Sequence, residues 1–77
     1  MNIKDKASRV KQLLGDPLLK EALQSIRDDQ IMIFTNEQSS METIKEAHDI
    51  ICALNKIDQY FNTVLTDEVM FDKRQGD

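Results

Sequence analysis

The sequence is poor in residues that cross-link or interrupt a fold. It contains one cysteine, one proline, two glycines and no tryptophan in 77 residues. Because Cys52 is alone, no disulfide can form within the chain, and a reducing compartment is the natural interpretation. No apolar run approaches membrane-spanning length, and the N-terminus lacks the apolar segment of a signal peptide. We therefore expect a soluble cytoplasmic protein that does not contact membranes.

Aromatic side chains are also scarce, since Tyr60 and three phenylalanines are the only ones present. A core built mostly from Leu, Ile, Val and Met is marginally stable in so short a chain. Small domains usually gain stability from disulfides, a metal or oligomerisation, and the lone cysteine removes the first of these. We predict a single helical domain over residues 1–77 that forms a homodimer or part of a larger assembly.

Positive charge is concentrated at the N-terminus, although the net charge is −4. Residues 1–15 carry four basic residues and Asp5, a local charge of +3, which leaves 6 basic and 13 acidic residues, or −7, elsewhere. The net negative charge of the chain after residue 15 argues against broad contact with nucleic-acid phosphates, which bind clusters of Lys and Arg. The basic residues could still contact nucleic acid, but they are equally typical of a solvent-facing helix. These residues are Lys4, Lys6, Arg9 and Lys11.

The tripeptide Gly15-Asp16-Pro17 predicts a boundary between two helices. Glycine suits the left-handed position after a helix, aspartate an N-cap and proline the first helical position. Before the boundary, apolar residues at spacings of 4, 3 and 4 predict a short helix over residues 3–14. After it, a second apolar stripe predicts a helix over residues 17–34. That stripe consists of Leu19, Ala22, Leu23, Ile26, Gln30 and Ile33.

A third and longest helix is predicted over residues 40–66. Ser39-x-x-Glu42 matches the capping box, although either Ser39 or Ser40 could cap the helix, and the polar residues 35–39 predict a turn before it. So short a connection makes the flanking helices antiparallel neighbours. Residues 67–77 lose the helical periodicity, and we expect a frayed tail there. Two rows of residues seven apart form the stripe of the third helix: Ala47, Leu54 and Phe61, and Ile50, Ile57 and Val64.

The predicted fold is all-α, an antiparallel hairpin of the second and third helices with the short first helix packed across one end. At about 1.5 Å per residue, the third helix is roughly 40 Å long and the second roughly 27 Å. The second helix therefore leaves part of the third stripe uncovered. Either the first helix covers the region near Val64, Leu65 and Met70, or a second subunit covers it, or both do.

The four successive apolar residues Ile31–Phe34 cannot all meet one partner helix, because they point in directions about 100° apart. A strand is the alternative for this run, but no second strand exists to pair with it. Met70 and Phe71 could form a docking peptide, or the last turn of the third helix packed on the first. We predict a protein partner that contacts apolar side chains in these regions. The candidates are Ile31, Met32, Phe34, Phe61, Leu65, Met70 and Phe71.

Chemically reactive groups are few. His48 and Cys52 have a spacing that two zinc ligands can have, with Asp49 beside them, but a closed zinc site needs four ligands and no further Cys or His exists. A catalytic Cys–His pair also needs an orienting group and a concave pocket. The acidic pairs, such as Asp28-Asp29, are typical of solvated helix surfaces. We therefore predict no enzyme activity, no cofactor and no metal.

Two segments resemble small uncharacterised helical proteins of tailed bacteriophages and prophages. One is Asp16-Pro17-Leu18 with Ala22-Leu23 and Ile26-Arg27-Asp28, and the other is Ala53-Leu54-x-x-Ile57 with Leu65-Thr66-Asp67. The resemblance covers about residues 16–70. Genes for such proteins tend to lie among packaging and head-assembly genes. The resemblance thus implies a phage protein in the host cytoplasm or the virion, and it carries over no catalytic residues.

Three functional hypotheses follow. The first is a non-enzymatic interaction module, serving as a phage virion or assembly component. The second is a small acidic inhibitor of a host defence system or host enzyme, whose surface imitates nucleic acid. The third is a DNA-binding regulator that uses the basic first helix. The acidic residues that the second hypothesis requires are Asp28, Asp29, Glu42, Glu46 and Asp49.

Overall fold

The computed structural model describes residues 1–76, which form three α-helices. Helix α1 spans Ile3–Leu14, α2 spans Pro17–Thr35 and α3 spans Met41–Gly76. The all-α class is confirmed, and the three helices begin at or within one residue of the predicted positions. The run Ile31–Phe34 is helical, so the strand alternative is wrong. No helix within residues 1–76 has both the length and the apolar character that spanning a membrane requires.

The α1–α2 junction follows its predicted chemistry in part. The Asp16 carboxylate accepts hydrogen bonds from the amides of Leu18 at 2.9 Å and Leu19 at 3.3 Å, which confirms the N-cap. Gly15, however, has a φ of −88° and does not adopt the left-handed conformation. Its amide still donates to the Lys11 carbonyl at 3.0 Å, so α1 keeps its helical hydrogen bonding and the chain turns at extended Asp16 instead.

The N-terminus of α3 differs from the predicted capping box. The cap is Ser40, whose hydroxyl accepts from the Thr43 amide at 3.1 Å. The Ser39 hydroxyl instead donates to the Ile33 carbonyl at 2.8 Å. The pairing of Ser39 with Glu42 is therefore wrong, because the Ser39 hydroxyl bonds to the end of α2, where the Ile33 carbonyl also accepts from the Asn36 amide at 3.3 Å.

Helices α2 and α3 form the predicted antiparallel hairpin. Ala47 and Leu54 of α3 are buried in it, together with Gln30 of α2. The predicted stripes are only partly covered, since Ile26, Ile50 and Ile57 remain exposed. Nothing within residues 1–76 packs over these three isoleucines as α1 packs over the other end of α3.

Helix α1 packs on the C-terminal half of α3, which is one of the alternatives that the length argument left open. Ala7, Val10 and Val64 form the core of this contact, and Phe61 and Leu65 lie partly buried against it. Because α1 supplies a surface to pack on, α3 does not end near residue 66 but continues to Gly76. This corrects the prediction of a frayed tail for residues 67–76, while Asp77 lies outside the described residues.

Candidate protein-interaction surfaces

The end of the hairpin carries four exposed large apolar side chains, here called the hairpin tip: Ile31, Met32, Phe34 and Met41. Met41 and Met32 are the most exposed of the four, at 82% and 69%. Three of these residues belong to the apolar run singled out in the sequence. Met41 was missed, because a single methionine at a helix start carries no periodic signal.

Hydrogen bonds hold the turn beneath the hairpin tip. The Thr35 hydroxyl donates to the Ile31 carbonyl at 3.1 Å, and the Asn36 side chain accepts from the Gln38 amide at 2.9 Å. The Ser39 hydroxyl adds its bond to the Ile33 carbonyl. Beside this turn lies an open depression of about 540 Å³, lined by Asp29, Met32, Ile33, Thr35 and Asn36. The exposed apolar side chains therefore lie beside a turn whose conformation is held by hydrogen bonds.

A second exposed apolar surface lies on the side of the hairpin and is called here the isoleucine face. It comprises Ile26, Ile50 and Ile57, each exposed to 40% or 41%. Ala53, also exposed, lies one helical turn from both Ile50 and Ile57. The sequence pointed to these isoleucines as core residues, because their spacing is that of a packed helix.

The candidates near the far end of α3 fall into two groups. Phe61 and Leu65 pack against the α1 contact and are partly buried there. Met70 and Phe71 lie beside Ile3, with Asp67 and Arg74 around the same depression. Met70 and Phe71 are thus neighbours of α1, yet both keep part of their surface exposed.

The basic residues of α1 are mostly engaged with α3. Lys4 pairs with Asp72, and the Lys11 ammonium lies 2.8 Å from a carboxylate oxygen of Glu68. The Lys6 ammonium lies 5.2 Å from the centre of the Tyr60 ring, a cation–π distance. The fourth basic residue, Arg9, lines an open depression with Gln12, Leu13 and Asp16. Three of the four positive charges therefore have partners on α3.

The helix spacing does bring His48 and Cys52 together. The Cys52 sulfur lies 3.7 Å and 3.9 Å from the two ring nitrogens of His48, and Asp49 lies 3.7 Å from Nδ1. His48 and Asp49 are exposed on α3, and Cys52 is half-buried. Among residues 1–76, no group of three or more His, Cys, Asp or Glu side chains is placed to hold a metal ion.

Comparison with models of protein families, with curated proteins and with solved structures finds no match to this chain. A function must therefore be inferred from the chemistry of the surfaces themselves.

Proposed function

We propose that this chain is a non-enzymatic protein–protein interaction module that acts within a larger assembly, with the hairpin tip as its contact surface. The observation that carries the proposal is the exposure of four large apolar side chains on the two helix ends that one hydrogen-bonded turn joins. If a partner buried such a side chain fully, the binding free energy would gain about 1.5–3 kcal/mol for each one. A protein surface is the partner that covers groups projecting outward in this way.

The composition of the hairpin tip suits a protein partner. Met32 and Met41 are unbranched and polarizable, so they adapt to the shape of a partner surface. Phe34 supplies an aromatic group of the kind enriched in interface cores. Exposed apolar groups rimmed by polar residues mark interaction sites. Asp29, Thr35 and Asn36 provide such a rim.

The resemblance to small tailed-phage proteins narrows the proposal to a virion or assembly component. On this hypothesis the chain is recovered with purified virions, and mass spectrometry of virions is the direct measurement. A chain that is abundant in infected cells but absent from virions and from head precursors would exclude the virion role.

An acidic inhibitor is the second candidate, and the surface charge favours it. The five carboxylates that the sequence suggested are all exposed, and none forms an ion pair with Lys or Arg within residues 1–76. They thus remain available to imitate phosphates. A DNA-binding regulator finds less support, because three of the four basic side chains of α1 already contact α3.

Affinity capture with matched variants tests the role of the hairpin tip. We expect the wild-type chain and the control variant Leu18→Glu to capture the same partner. Leu18 is an exposed apolar residue outside the hairpin tip. The double variant Met32→Glu/Met41→Glu should lose that partner while keeping its helical circular dichroism signal. Equal capture of the partner by the wild-type chain and by the double variant would contradict the proposal.

A further inference from the structure

We propose that a second copy of this chain covers the isoleucine face, with two α3 helices crossing antiparallel about a two-fold axis at Ala53. The inference rests on the proposed function, since it names one partner within the assembly. It uses a different surface, however, because the isoleucine face lies on the side of the hairpin and not at its tip.

The first observation is that α3 carries a second apolar seam. Ile50, Ala53, Ile57, Tyr60 and Val64 follow one another at spacings of 3, 4, 3 and 4. This is the spacing with which one helix packs along another. Ala47 and Leu54, which pack in the hairpin, do not belong to this series. Helix α3 is thus patterned for a helical partner in addition to α2.

The second observation is that α1 buries only the Val64 end of this seam, since Tyr60 is still 54% exposed. Val64 is 4% exposed because Ala7 and Val10 lie against it, and Lys6 lies over the Tyr60 ring. Ile57 and Ile50, seven and fourteen residues before Val64 on the same row, are each 40% exposed. Ile50, Ile57 and Val64 are chemically alike, so the difference in their exposed fractions follows from where α1 ends.

Helix α2 contributes Ile26 to the same side of the hairpin. Arg27 donates to Asn55 and Asp58, so these contacts mark one side of the α2–α3 pair. Ile26 precedes Arg27 and is rotated from it by about 100° around the helix axis. Its side chain therefore extends the isoleucine face across the hairpin groove.

The molecule has more surface than a compact monomer of its mass, which leaves room for an interface with a second copy. The accessible surface is 6073 Å². A compact monomer of 8.9 kDa exposes about 4,800 Å². The radius of gyration of 16.9 Å likewise exceeds the value of about 11.5 Å expected for 77 residues. The excess of roughly 1,300 Å² is spread over the whole elongated chain, and a standard interface would bury ~800 Å² of surface on each partner.

A two-fold axis at Ala53 satisfies the pattern of the seam. Antiparallel crossing at this residue places Ile50 of each chain beside Ile57 of the other, which is the reciprocal contact of an isologous dimer. The small Ala53 side chain lets the two helices approach closely at their crossing. Because α1 packs on Val64 and its Lys6 lies over the Tyr60 ring, the helices cannot lie side by side along their full length. They must diverge, as in the common helix packing at about −50°.

Sedimentation equilibrium tests the dimer. We expect the wild-type chain to show twice its mass of 8.9 kDa at micromolar concentration. The variant Ile50→Glu/Ile57→Glu should halve that mass while keeping its helical circular dichroism signal, since both residues are already 40% exposed in the single chain. Met32→Glu and Leu18→Glu should leave the mass unchanged. A wild-type monomer, or a dimer that survives both glutamates, overturns the inference.

Cysteine cross-linking locates the axis. In a Cys52→Ser background, Ala53→Cys should form an intermolecular disulfide under mild oxidation much faster than Gln59→Cys, an exposed position outside the seam. Equal rates at the two positions overturn the proposed crossing. The two proposals remain separable, because capture through the hairpin tip should survive Ile50→Glu/Ile57→Glu, whereas tip variants should remain dimeric.

Discussion

The guanidinium of Arg27 on α2 lies 3.1 Å from the carboxylate of Asp58 on α3. A second guanidinium nitrogen donates to the Asn55 side chain, also at 3.1 Å. Arg27 is partly covered, whereas Asp58 is about half exposed, at 51%. These two bonds join the helices at mid-length and set their relative register, on the side of the hairpin away from the isoleucine face.

A double-mutant cycle of Arg27→Met and Asp58→Asn should give a small coupling. We expect about 0.2–1 kcal/mol, because the pair is partly exposed and solvent screens it. The coupling should decrease as salt is raised. Urea unfolding at one fixed protein concentration measures the four free energies, which keeps any effect of dimerisation constant. A coupling that is absent at low salt would mean that the register depends on apolar packing alone.

Replacing Gln30 by methionine should stabilise the chain. Gln30 is 6% exposed, and its amide nitrogen donates to the Ile26 carbonyl at 2.9 Å, while its carbonyl oxygen is buried without a protein partner. An unpaired buried acceptor costs about 1–3 kcal/mol, and methionine keeps a similar shape. We expect the free energy of unfolding to rise by about 1 kcal/mol. Gln12→Met, at an exposed site, should change it by less than about 0.5 kcal/mol.

The burial of Gln30 shows what helical spacing can predict. Its position within an apolar stripe placed it in the hairpin despite its polarity, and that prediction is correct. The same spacing placed Ile26, Ile50 and Ile57 in packed rows, yet these residues are exposed. Periodicity states that a residue faces a neighbour, but it does not state whether the neighbour belongs to the same chain. The exposed isoleucines are where this ambiguity matters.

Enlarging Ala7 should loosen α1. Ala7 is 0% exposed and packs with Val10 and Val64, so a leucine there has no room without movement of the helix. We expect Ala7→Leu to lower the free energy of unfolding by about 1–3 kcal/mol. Hydrogen exchange of the α1 amides should also become faster. Ser8→Leu, at the exposed neighbouring position, is the control, and a stabilising Ala7→Leu would show that α1 packs loosely.

The hairpin tip could be recognised in part from the sequence. Four successive apolar residues cannot share one helix face, so Ile31, Met32 and Phe34 were correctly expected to leave surface uncovered. The cap at Ser40 was one of two that the sequence allowed, and the end of α3 at Gly76 was not predicted. Two adjacent serines compete for one cap, and a helix end without a stop signal depends on what packs against it.

Removing residues 67–77 should release α1 while leaving the hairpin folded. The truncation deletes Glu68 and Asp72, which pair with Lys11 and Lys4, and it deletes Met70 and Phe71 beside Ile3. Weak surface pairs and partly buried apolar groups together should cost about 2 kcal/mol. The α1 amides should therefore lose protection from hydrogen exchange, whereas those of α2 and of residues 47–58 should keep it. Removing residues 75–77 alone leaves all these contacts and should change nothing. Unchanged α1 protection in the longer truncation would show that the contact with Val64 alone holds α1 in place.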